Sequence, residues 1–170
     1  MSASETSEKM VPISLLRAAF NARAAAYAQV FDVLRETEGV ERAVEVLSEA
    51  TRRMGAIAGA RYADLAPADL AGLKDRFLAD VPAVEDMFAP EIVQCDDDRL
   101  VIEFHRCPLR EAWQAMGRPE AEVELLCKVG SAVDRGLFEA AGFSFDAENW
   151  HPGCGDRCYL KISPGATAEA

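Results

Sequence analysis

The spacing of apolar residues changes near Pro90, and that change limits the architectures open to the chain. Before it, Leu16, Phe20, Tyr27, Phe31 and Leu34 fall on one helical stripe, entered after Pro12 and ended by Gly39. Val40, Val44, Leu47, Met54 and Ile57 give a second stripe, and Leu70, Leu73 and Phe77 a third after Pro67. After Pro90 the period drops to two, over Glu91–Cys95 and Arg99–Cys107, with Asp96-Asp97-Asp98 as the turn between them. Helical spacing then returns. Leu109, Ala112, Trp113 and Met116 share a short face, and a long helix runs from Pro119 to about Ala141, closed by Gly142. A second strand pair, Phe143–Asn149 and Arg157–Ser163, completes the chain.

The expected fold class is therefore α+β: N-terminal helices followed by two β-hairpins with a long helix between them, packed as one domain. Its expected limits are a tail over 1–10, a domain over 11–163 (a helical half 11–89 and a hairpin-helix-hairpin half 90–163) and a tail over 164–170. At 170 residues, half of them apolar, the chain can bury a real core. The formal charge of −11 argues against nucleic acid and against an anionic membrane surface as partners. No secretory pattern or membrane-length apolar run is present, so a cytoplasmic setting is expected, with five cysteines as thiols, ligands or nucleophiles rather than disulfides.

Reactive side chains concentrate in the second half. On the strand ending at Pro108, Glu103, His105 and Cys107 alternate with an apolar face made by Leu100, Ile102 and Phe104. A solvent face with an incidental cysteine accounts for this as well as a site does. The long helix is more telling. Its stripe is Val123, Leu126, Cys127, Gly130, Val133, Asp134, Leu137 and Ala141, with Cys127 and Asp134 two turns apart and Gly130 between them. A mid-helix glycine often marks close approach by another group. A buried carboxylate must be protonated, hydrogen-bonded or paired, and Arg106 or Arg157 are the partners a purely packing account would give Asp134. In the last strand Cys158 shares its face with Leu160 and Ile162. Cys154 lies in a glycine-flanked turn, and His151, Cys154 and Cys158 raise zinc, although a strand places Cys158 poorly to share an ion with Cys154.

These residues, in this order, resemble the L-2-amino-thiazoline-4-carboxylic acid hydrolase family. The likeness rests on His105-Arg106-Cys107-Pro108-Leu109 with Trp113 downstream, on Leu126-Cys127 with Asp134, and on Gly155-Asp156-Arg157-Cys158-Tyr159, covering roughly 90–163. It implies a small cyclic isothiourea carboxylate as substrate, opened by water at the carbon between sulfur and nitrogen to give an N-carbamoyl amino acid. Under that reading Cys127 or Cys107 is the nucleophile, Asp134 the general base or the group that orients the amidine, and His105 the proton shuttle. Arg106 or Arg157 holds the carboxylate. Trp113, Asp156 and Cys158 complete the substrate-binding set, and no cofactor is required.

The order of elements is also similar to 4-vinyl-reductase-type ligand-binding domains, which include sensors, so a non-catalytic small-molecule-binding module is the first rival. A structural zinc domain is the second. Packing of all five cysteines in the core is the third. A homo-oligomer is compatible with the alanine-rich helices, which can pack within one chain or across two.

Overall fold

The computed structural model describes residues 11–166. The tail expected over 1–10, and residues 167–170 of the one expected over 164–170, lie outside the described residues. Before that limit, Gly165 donates its N–H to the Pro67 carbonyl at 2.9 Å.

Two alanine-rich helices open the fold, α1 (Ile13–Glu38) and α2 (Val40–Gly59), separated by Gly39 alone. Gly39 has φ +89°, which L side chains rarely adopt, and its N–H caps the Arg35 carbonyl. A 3-10 turn (Ala60–Leu65) leads to α3 (Leu70–Asp80), whose N-cap Asp69 accepts a hydrogen bond from the Gly72 N–H at 2.8 Å. After the short α4 (Val84–Met87) come β1 (Pro90–Cys95) and β2 (Leu100–Phe104), α5 (Pro108–Ala115), α6 (Glu120–Ala141), β3 (Ser144–Glu148) and β4 (Cys158–Ser163). Proline stands at the first position of α5 and at the N-cap of α6, and Glu120 and Glu122 occupy the positive end of the α6 dipole.

Mixed α+β architecture is thus present, with one refinement. The two hairpins are joined in a single antiparallel sheet of order β1-β2-β4-β3, because β2 pairs along its length with β4. That pairing buries β2 on both faces, so Val101 and Glu103 are buried along with Leu100, Ile102 and Phe104. The three aspartates form a solvated turn, where the Asp96 side chain accepts from the amides of Asp98 and Arg99, each at 2.9 Å.

Two cores flank α6. One joins the sheet to α3 and the C-terminal part of α6 through Leu73, Phe77, Ile102, Phe138 and Ile162. The other joins α1, α2 and α5 to its N-terminal part through Phe31, Leu47, Trp113, Leu126 and Trp150. The Trp113 indole N–H donates to the Ala24 carbonyl at 2.9 Å and locks α5 onto α1.

The contact between α2 and α6 departs from the apolar stripe read in the sequence. Val40, Met54 and Ile57 are exposed, as is Met116 at the end of α5. The buried face of α2 is instead Ala43, Leu47, Thr51, Gly55 and Gly59. Small residues win that face because the two backbones touch. A Cβ on Gly55 would sit 1.8 Å from the Val133 carbonyl oxygen, one on Gly59 2.5 Å from the Leu137 oxygen, and one on Gly136 1.9 Å from the Arg52 oxygen. The Thr51 hydroxyl donates across the seam to the Val129 carbonyl at 2.7 Å. Gly130 is not such a position, since a Cβ there meets only Trp113 at 3.4 Å and Leu109 at 3.6 Å.

The two glycines of α6 should therefore respond oppositely. Gly136→Ala is expected to destabilise by about 3 kcal/mol or more, because backbone must move. Gly130→Ala, which gains helix propensity of ~1 kcal/mol and fits an ordinary contact, should be neutral or mildly stabilising. Urea denaturation of both variants measures this, and equal losses would contradict the close seam.

Candidate active site

The face of α6 opposite the α2 seam borders a cavity of about 290 Å³ between the two cores. Residues 127, 130, 131 and 134 are spaced i, i+3, i+4, i+7, and Cys127, Gly130, Ser131 and Asp134 all line it. The other walls come from Phe20 and Arg23 of α1, Phe77 at the end of α3, Phe104 of β2, Leu109, Arg110 and Trp113 of α5, Trp150, and Cys158 and Tyr159 of β4.

The chain after β2 explains how Cys107 reaches this wall and His105 does not. The strand ends at Phe104, where the amides of His105 and Arg106 turn to the carbonyls of Ala89 and Phe88. Alternation stops there. Cys107 becomes the N-cap of α5 and faces the cavity, whereas His105 faces outward, its Nε2 3.1 Å from Glu91 Oε2. The row Glu103-His105-Cys107 expected on one strand face is therefore split.

Of the residues singled out in the sequence, Cys107, Cys127, Asp134, Cys158 and Trp113 meet at the cavity. His105, Arg106, Arg157 and Asp156 stand outside its walls. Arg106 makes a two-pronged contact with Glu111 at 3.0 and 3.2 Å, Arg157 lies 3.3 Å from Glu103, and Asp156 is an exposed carboxylate. Cys95 is exposed. Cys154 stays in the β3–β4 loop, where its sulfur accepts from the His151 amide, and Cys158 turns to the cavity instead of joining them.

Two other arginines, Arg110 and Arg23, line the cavity where Arg106 and Arg157 do not. Arg110 is 3% exposed, lies over the Trp150 ring, and pairs through Nη2 with Asp156 at 3.0 Å. Its buried Nε has no hydrogen-bond partner among the described residues. Arg23 donates to the Tyr27 hydroxyl at 3.0 Å and is the cation whose field reaches Asp134. A signal for Arg23 existed, because it sits between Phe20 and Tyr27 on the apolar stripe of α1. Arg110 had a weaker one, its place one turn before Trp113.

Burial dominates the electrostatics. It pushes the Asp134 carboxyl up to about 7 against the opposing pull of Arg23, although the group is only half-buried by exposure because it borders the cavity. Burial also raises all three cavity thiols. Cys158 goes up to about 12, with the charges of Cys107 and Asp134 adding to the shift. Cys127 rises further, disfavoured next by Cys107. Cys107 rises despite the amides of Arg110 and Leu109 and the Arg110 guanidinium, which favour its thiolate. The thiols are therefore neutral near pH 7, and the carboxyl is the group poised to exchange a proton there.

Asp134 carries a stability signature. Its folded value lies above the ordinary 3.8, so the native state holds a proton that the unfolded chain releases between about pH 4 and 7. Stability contributed by the neutral form is complete below pH 4 and lost as pH rises through about 7. Asp134→Asn should flatten that slope and exceed the wild type at pH 8, by an amount on the order of 1–4 kcal/mol at ~1.4 kcal/mol per unit. Denaturant titrations at pH 4.5, 6 and 8 test this; parallel curves for the two proteins would contradict it.

Among the described residues no helix is long and apolar enough to cross a membrane. No curated protein matches the sequence. Among solved structures the chain is similar to trafficking protein particle complex subunit 3 from Naegleria fowleri, determined covalently bound to palmitic acid. Identity is 15%, the match covers 91% of this chain and 99% of that one, and the TM-score is 0.51, a likeness of fold. The family model described as L-2-amino-thiazoline-4-carboxylic acid hydrolase matches residues 19–161, a span that takes in every wall of the cavity, and the chain belongs to that family.

Proposed function

We propose that the chain hydrolyses a small cyclic amidine or isothiourea carboxylate, of the 2-amino-thiazoline-4-carboxylate kind, with Asp134 as the general base. The observation that carries this reading is the pairing, in one largely apolar cavity, of a carboxyl raised to about 7 with a buried arginine whose Nε lacks a partner. The substrate has matching ends. Its amidine is a hydrogen-bond donor and cation for Asp134, and its carboxylate suits the fork of Arg110.

In the reaction, ionised Asp134 takes a proton from water as the oxygen adds to the ring carbon between sulfur and nitrogen. The carbon–sulfur bond then breaks as the carbonyl forms: the adduct's hydroxyl proton is released to solvent, discharging the cationic amidine, and the proton held by Asp134 passes to the departing sulfur. One water is consumed and an N-carbamoyl amino acid bearing a free thiol is released. Water is the nucleophile in this scheme because burial disfavours every cavity thiolate. Cys107, Cys127 and Cys158 then serve as neutral walls beside the reacting sulfur. His105, Arg106, Arg157 and Asp156 receive no direct step, Asp156 acting through its pair with Arg110.

A second reading is non-catalytic binding of an apolar ligand. It is favoured by the predominance of aromatic and aliphatic walls and by the palmitic acid bound to the trafficking subunit of similar fold. The intact mass of purified protein separates the two: a covalent acyl adduct and no product from thiazoline substrates would favour the binding module.

Turnover by variants tests the hydrolytic reading. Asp134→Asn should lose activity by about 10²–10⁴-fold, and wild-type kcat/KM should rise with pH through about 7 as the base ionises. Cys107→Ser and Cys127→Ser should each retain turnover within about tenfold, whereas loss of Asn-variant size in either would establish a covalent thiol route. Arg110→Lys should raise KM about tenfold or more, since an ammonium cannot reproduce the fork.

A further inference from the structure

Away from the cavity, the β1–β2 ribbon carries a cluster that neither the hydrolytic scheme nor the core uses. Antiparallel register sets Glu91 directly opposite Glu103, and like charges so placed repel. His105, one residue beyond β2, stands against both, its Nε2 3.1 Å from Glu91 Oε2 and its Nδ1 3.8 Å from Glu103 Oε1. One ring nitrogen and one oxygen from each carboxylate lie within 4.8 Å of one another.

Glu103 supplies a separate observation. Its side chain is only 9% exposed, yet its buried Oε1 has no hydrogen-bond partner among the described residues. Arg157 brings Nε to 3.3 Å from that oxygen without hydrogen-bond alignment, and the Arg157 side chain is 57% exposed. A buried carboxylate oxygen without a donor is costly, and a cation is the species that satisfies it.

We propose that Glu91, Glu103 and His105 form a binding site for a divalent transition-metal cation, with zinc the ion best matched to the donors. An imidazole with two carboxylates suits zinc, whereas magnesium and calcium favour all-oxygen sites. Tetrahedral zinc with bonds of ~2.0–2.2 Å holds its ligands ~3.3–3.6 Å apart, so the cluster closes with side-chain shifts of about an ångström. Bound there, the ion takes the free oxygen of Glu103, cancels its repulsion with Glu91, and fastens the largely exposed edge strand β1 to β2. A fourth position is left for water. Arg157 is the internal competitor and swings into solvent as the ion enters. The site is independent of the hydrolytic reading and differs from the His151, Cys154 and Cys158 set, whose ligand atoms do not gather within 4.8 Å of one another.

Calorimetric titration of the full chain, stripped with chelator and then given zinc chloride, tests the proposal. The wild type should bind one ion. Glu91→Gln, Glu103→Gln and His105→Ala should each weaken the Kd by at least about tenfold, and Arg157→Ala should tighten it. Glu91 is exposed at the sheet edge, so its variant reports even if the Glu103 variant fails to fold. Cobalt substitution should give no intense thiolate charge-transfer band. Absence of wild-type binding, an unchanged Kd in the Glu91 and His105 variants, or a thiolate band would each overturn the site.

Discussion

The close approach of α2 and α6 governs the rest of the molecule. Gly55, Gly59 and Gly136 let two helix backbones meet at a distance no side chain would permit, and Thr51 adds a buried hydrogen bond across the seam. That contact fixes the rotation of α6 about its own axis. With Gly136 and the Val129 and Val133 carbonyls set against α2, Cys127, Gly130, Ser131 and Asp134 must face the other way. The helix thereby separates two functions on opposite faces: one holds the fold together and the other presents polar groups to a largely apolar cavity. A change at Gly136 would act on the site through geometry alone, without touching the cavity.

Enclosure then decides the chemistry. The same apolar walls that raise Asp134 to about 7 suppress the thiolates of Cys107, Cys127 and Cys158. A carboxylic acid and a thiol are both disfavoured as anions by burial, but they start from different ordinary values. Burial moves the carboxyl toward neutrality, where proton exchange is useful, and moves the thiols away from it. Three cysteines around one cavity therefore do not by themselves imply a cysteine nucleophile. Arg110 completes the polarity of the space, since its guanidinium is buried with an exposed ion-pair partner and with an Nε that meets no acceptor among the described residues.

Much of this was legible in the sequence, for identifiable reasons. The stripe through Cys127 and Asp134 survives folding because a long, capped helix keeps its period over its whole length. Element order was readable because Pro90, Pro108, Pro119, Gly39 and Gly142 punctuate it. The failures share a cause as well. Val40, Met54 and Ile57 look like a core stripe by hydrophobicity, but the seam selects for smallness, which hydrophobic periodicity does not detect. Strand alternation places His105 beside Cys107 in the sequence, but the backbone leaves the strand after Phe104 and turns to pair with Phe88 and Ala89. The cavity arginines carry only faint marks in the sequence, Arg23 its place between Phe20 and Tyr27 and Arg110 its place one turn before Trp113, and neither mark separates an arginine that enters a cavity from one, like Arg106, that folds back on Glu111.

The proposed hydrolysis depends on the state of one carboxyl group. Titration of the Asp134 side-chain carbon by NMR, in protein labelled at aspartate and assigned by comparison with the Asn variant, reads that state directly. A midpoint near 7, well above the ordinary value of 3.8, is the predicted result. A midpoint near 4 would mean that the cavity does not desolvate Asp134, and would contradict its assignment as the base.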